Sequence, residues 1–143
     1  MKKVLSLSLI FILILTIFVG CNETFNMDKS ITKLRNQGLV VSREYKTDYQ
    51  LKEATAIFNA EIKFYGGNFA IEVKRAITLE DPKEPGLNCQ FIEFASAEQA
   101  EKYATFYITS RKLGNEFKIA FSDTVVVITS LDSVTKVVPL EFK

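Results

Sequence analysis

The side chains of this sequence that could do chemistry are carboxylates, tyrosines and two cysteines, because its 143 residues include no histidine. That absence removes Ser–His and Cys–His nucleophiles, the usual neutral-pH acid/base and imidazole metal ligation. Glu98 and Glu101 stand three apart on a predicted helix, on the side opposite Tyr103 and Tyr107, and read as a solvated face. Glu80, Asp81 and Glu84 gather in a proline-containing loop. Oxygen ligands suit Ca²⁺, but the loop lacks the alternating acids and closing Glu of a dedicated site, so no metal is assigned. Neither a P-loop nor G-x-G-x-x-G occurs, and no cofactor is assigned. With no constellation at catalytic spacing, the expectation is a protein that is not an enzyme.

Among the aromatics, Tyr103 and Tyr107 fall at i, i+4 between alanines and read as core. Tyr45 and Tyr49 flank a turn with Lys46 and Asp48, and they are the candidate binding patch. Cys89 reads as a small buried hydrophobe at the start of a strand, with a reactive thiol as the alternative.

Cys21 has a different setting. Lys2 and Lys3 precede an apolar run from Val4 to Val19, and Gly20-Cys21 closes it. Positive end, apolar middle and small-residue exit are the plan of a secretory signal. As helix the run spans roughly 24 Å, short of a ~30 Å hydrocarbon core. Phe18-Val19-Gly20-Cys21 resembles the cleavage motif of bacterial lipoproteins, with Phe18 where Leu is usual. The resemblance covers about the first fifth of the chain. It implies diacylglyceryl attachment to the Cys21 thiol and cleavage between Gly20 and Cys21. Two acyl chains give lasting attachment where one is marginal. The alternative is an uncleaved, slightly short transmembrane helix. Either way Lys2 and Lys3 stay cytoplasmic, which places the domain on the extracytoplasmic face of the cell membrane.

The chain therefore divides into a signal peptide (1–20), a lipidated Cys with tether (21–27) and one domain (28–143). Its 18 basic residues include Lys2 and Lys3, so the part from Cys21 onward carries 16 against all 17 acidic residues, a net −1. No basic stripe exists to attract phosphates, and nucleic acid is not an expected partner. A part of this size buries roughly two-thirds of its unfolded surface around one core. If lipid occupies Cys21, Cys89 has no disulfide partner.

The elements that must position these residues follow from periodicity. Asp28 reads as an N-cap, Ile31 and Leu34 as one helical face and Gly38 as terminator. A strand runs from Leu39 to about Tyr45. Asp48 caps a helix whose stripe is Leu51, Ala54, Phe58, Ile62 and Tyr65, ended by Gly66-Gly67. Phe69, Ile71, Val73, Ile77 and Leu79 alternate with more polar neighbours, as in a strand with one buried face. Cys89–Ala95 reads as a central strand, and Ser96 with Gln99 as a capping box before a third helix ended by Gly114. Two further strands, Glu116–Phe121 and Thr124–Thr129, meet at Ser122-Asp123. A last helix starts at Ser130, and Pro139–Lys143 is a tail.

The inner order βαββαβ is that of the ferredoxin-like unit. The expected fold is α+β: an antiparallel sheet with helices on one face, plus an N-terminal helix and a C-terminal strand-helix addition. The order is also similar to small exported lipoproteins of low-GC Gram-positive bacteria. The carriers are Gly38-Leu39-Val40, Tyr65-Gly66-Gly67-Asn68 and the turn from Phe94 through Lys102. That resemblance implies no activity. The expected function is a membrane-anchored, non-catalytic binding or accessory module of the envelope, contacting an envelope protein or a small ligand. The alternative is a structural or assembly component, and a hydrolase ranks below both.

Overall fold

The computed structural model describes residues 24–110 and 116–143, so the expectations for Lys2, Lys3, Gly20, Cys21 and Gly114 lie outside the described residues. Within them the elements are α1 Met27–Asn36, β1 Val40–Tyr45, α2 Asp48–Phe64, β2 Val73–Glu80 and β3 Asn88–Phe94, then α3 Ala97–Ser110, β4 Lys118–Ser122, β5 Val125–Thr129 and α4 Asp132–Val137.

Side-chain and glycine chemistry sets the helix ends. Asn26, not Asp28, caps α1: its Oδ1 accepts from the Lys29 N–H at 2.9 Å. Asp28 sits within the first turn, where a carboxylate suits the helix dipole, and pairs with Arg75 at 2.7 Å. Thr47, not Asp48, caps α2, in a complete capping box with Gln50. Both helices end in a Schellman motif. Gly38 (φ +101°) and Gly66 (φ +82°) take the left-handed position. Leu39 N–H then reaches Leu34 O at 3.2 Å, and Gly67 N–H reaches Ile62 O at 2.8 Å. At α3, Ser96 Oγ accepts from Gln99 N–H at 3.3 Å, whereas the Gln99 side chain turns away to accept from Glu72 N–H at 2.8 Å. α4 starts later than expected, with no side-chain cap. Ser130 Oγ instead accepts from the Asn88 N–H at 2.9 Å.

The five strands form one antiparallel sheet in the order β1-β2-β3-β5-β4. This order does not confirm the ferredoxin-like arrangement. In a split βαβ unit, strands joined through a helix run parallel with another strand between them. Here β1 and β2, joined through α2, are direct antiparallel neighbours. An extra traverse makes that possible: residues 68–72 run back along α2 before β2 begins. Asn59 Nδ2 donates to Ile71 O at 3.0 Å, Asn59 Oδ1 accepts from Ile71 N–H at 2.9 Å, and Thr55 Oγ1 accepts from Val73 N–H at 3.0 Å. The strand expected from Phe69 therefore joins the sheet only at Val73.

Helices cover both faces: the two inner helices share one, as expected, and the N- and C-terminal helices cover the other. α2 and α3 pack on one face, with Ala54, Ile62, Ala100, Tyr103 and Tyr107 against Val73, Ile92, Phe94, Val126 and Ile128. On the other, α1 and α4 bring Ile31, Leu34 and Val134 against Ile77, Leu79, Cys89, Phe91 and Val127. Double cover explains why β5 is buried along its whole length.

A β-bulge connects the two cores. The pairs Val73↔Phe94 and Arg75↔Glu93 leave Lys74 as an extra residue on β2. Period-two facing inverts there. Val73 joins the α2/α3 core, while Ile77 and Leu79, of the same odd parity, join the α1/α4 core. At the far edge, Ile119 and Lys143 exchange two backbone hydrogen bonds at 3.0 and 2.8 Å. Phe142 packs against the α1/α4 core, so the tail is docked.

Candidate functional site

A cavity of about 230 Å³ lies between α2, α3 and the β1–β2–β3 half of the sheet. Small side chains make the room, because Ala54 on α2 and Ala76 on β2 both line it where a longer residue would fill it. Aromatic contacts hold its walls. Phe58 meets Tyr103 edge-on with ring centres 5.6 Å apart, and Tyr103 lies 6.0 Å from Tyr107.

Sheet register then places one polar row beneath this space. Arg43 on β1 lies opposite Thr78 on β2, and Thr78 lies opposite Gln90 on β3. The adjacent row on the same face is Tyr45, Ala76 and Ile92, so the floor passes from apolar to polar within one step of the ladder. Thr78 and Gln90 are half-buried, and neither side chain makes a hydrogen bond within the protein among the described residues. The Arg43 guanidinium donates to Tyr45 Oη at 3.4 Å, a long contact that engages one of its five N–H groups. Glu61 lines the cavity from α2. Together these groups offer one guanidinium, one carboxylate, a hydroxyl, a carboxamide and an apolar floor. That set orients a bound molecule.

Tyr45 and Tyr49 are separated in this arrangement. Tyr45 is half-buried against the α2/α3 core and lines the cavity, whereas Tyr49 is 77% exposed on the first turn of α2. Sequence reasoning missed Arg43, Thr78 and Gln90. One signal was present: Gln90 is a polar residue inside C-Q-F-I-E-F-A, a segment apolar on both faces. Thr78 and Arg43 carried none, since only register brings them to Gln90.

Among the remaining candidates, Glu98, Asp81 and Cys89 have local partners. Glu98 is exposed and bonded to Lys102 at 2.6 Å; that hydrogen bond and the ammonium charge hold its carboxyl below the usual range. Asp81 Oδ1 accepts from Lys83 N–H at 2.8 Å within the proline loop. Among the described residues, no group of three or more His, Cys, Asp or Glu is placed to hold a metal ion. Cys89 is fully buried; desolvation pushes its thiol up to about 12, outweighing a hydrogen bond with Thr129 that lowers it. No helix among the described residues is long and apolar enough to cross a membrane.

No protein-family model matches the chain, and neither a curated protein nor a solved structure is found to be similar.

Proposed function

We propose that the chain is a lipid-anchored envelope lipoprotein whose domain is a non-catalytic binding module for a small molecule. The observation that carries the binding half is the cavity over exposed Arg43 and half-buried Thr78 and Gln90, polar side chains facing a space that Ala54 and Ala76 keep open. A void floored by hydrogen-bonding groups suits a ligand with a polar end.

The anchoring half rests on Lys2, Lys3, the apolar run and Val19-Gly20-Cys21. Its test is Cys21→Ala in cells of the source type, followed by fractionation and gel mobility. Lipidation predicts a shift in mobility to the unprocessed, unlipidated size. Membrane retention at unchanged mobility would mean an uncleaved helix instead. The binding half is tested by native mass spectrometry of the full chain extracted gently from cells. A stoichiometric small adduct that disappears on denaturation supports it, and a bare chain across several growth conditions counts against it.

A further inference from the structure

We infer that the cavity takes a compact apolar or aromatic molecule bearing one carboxylate, with the carboxylate on the Arg43–Thr78–Gln90 row; this rests on the binding reading above.

Three features of the site select that chemistry. Arg43 is the cation lining the cavity, and a guanidinium matches a carboxylate with two parallel hydrogen bonds. Thr78 and Gln90, its successive neighbours across the ladder, add a hydroxyl and an amide donor on the same face. The opposite wall, α2, presents Ile57 and Phe58 with Glu61 beyond them. A carboxylate therefore settles at the sheet and not against the helix, and the body of the ligand lies over Ala76 and Ile92.

Size sets the second limit. An apolar cavity of ~150 Å³ holds one benzene molecule. About 230 Å³ then accommodates one ring or a short branched chain together with a carboxylate. Edge-to-face packing of Phe58 on Tyr103 gives an aromatic body a wall to stack against.

The test uses the full chain in detergent and calorimetric titration with 3-phenylpropionate, L-phenylalanine, 4-methylpentanoate and the uncharged methyl 3-phenylpropionate. The acids should bind saturably at one site, and the methyl ester at least tenfold more weakly. Arg43→Gln should weaken the acids tenfold or more and leave the ester unchanged. Arg43 is exposed, so this variant does not threaten folding. Gln90→Leu should weaken the acids less than Arg43→Gln does. If L-phenylalanine exceeds 3-phenylpropionate, the carboxylate belongs to an amino acid; the reverse order points to a simple acid, and either order supports the inference. If ester and acid bind equally and Arg43→Gln changes neither, the carboxylate assignment is wrong while the binding module stands. If all four probes fail to bind, this inference is wrong, and the mass-spectrometric search for an adduct decides the binding reading separately.

Discussion

Asn59 brackets Ile71 with both ends of its carboxamide, donating to the carbonyl at 3.0 Å and accepting from the amide at 2.9 Å. A side chain here stands in for a strand neighbour. It satisfies the backbone of residues that lie between α2 and α3 and have not yet entered the sheet. Ile71 is buried, so losing the bracket leaves two polar groups without water. Asn59→Ala should lower unfolding free energy by about 2–3 kcal/mol in urea titration. Amide exchange at Ile71 should accelerate well before exchange in β3. Thr55→Val, which removes the single bond to Val73, should cost only about 1 kcal/mol. Equal losses in the two variants would mean that the bracket does not hold this segment.

The glycine pair at the end of α2 divides two tasks between neighbouring residues. Gly66 has φ +82° and open space around it, whereas a Cβ on Gly67 would sit 2.5 Å from Ile62 Cγ2 and 3.2 Å from Phe106. Gly66→Ala should cost about 1–2 kcal/mol through backbone strain alone. Gly67→Ala should cost about 1–3 kcal/mol through overpacking, and should also shift the side-chain resonances of Ile62 and Phe106. A Gly67→Ala protein with unmoved resonances and wild-type stability would contradict the close approach.

Cys89 gives a pH-dependent prediction. The unfolded thiol ionises near 9.0, while the buried one keeps its proton up to about 12. Between those values the unfolded state binds fewer protons, so this contribution to stability is intact below pH 9 and is lost as pH rises toward 12. In a Cys21→Ser background, wild-type Cys89 should resist alkylation at pH 8 until the chain unfolds. Cys89→Ala should lose stability less steeply over pH 9–12 than its parent. Rapid native alkylation would restore the reactive-thiol reading.

Helix ends and core stripes were largely legible because each depends on residues a few positions apart. Gly38 and Gly66 follow apolar stripes, where a left-handed residue has an obvious use. The α2 cap was misplaced by one because Thr47 and Asp48 both make good caps; Gln50, three beyond Thr47, was the discriminating signal. The cavity floor was not legible. Arg43, Thr78 and Gln90 meet only through the pairing of three strands, and that pairing depends on residues 68–72 running back along α2. The double cover of the sheet was hidden by the bulge, since unbroken alternation from Phe69 to Leu79 reads as one buried face.

That bulge yields the most discriminating experiment on the fold. Lys74 is the extra residue between Val73↔Phe94 and Arg75↔Glu93, and its exposed side chain pairs with Glu72 at the surface. Deleting Lys74 converts β2 into a regular ladder without turning any other residue over: Val73 and Ala76 still face α2 and α3, and Arg75 and Ile77 still face α1. Deleting Thr78 forces a choice between two faults. Either Leu79 turns away from its core, or the bulge is absorbed and Arg75 is carried into the place of Ala76. The first deletion should give a folded protein with dispersed amide resonances and an unfolding free energy, from urea titration, lowered by no more than about 3 kcal/mol, within the span of ordinary point changes. The second should give none. If both deletions fold equally well, facing along β2 is not set by the bulge, and the assignment of Ile77 and Leu79 to the α1/α4 core is wrong.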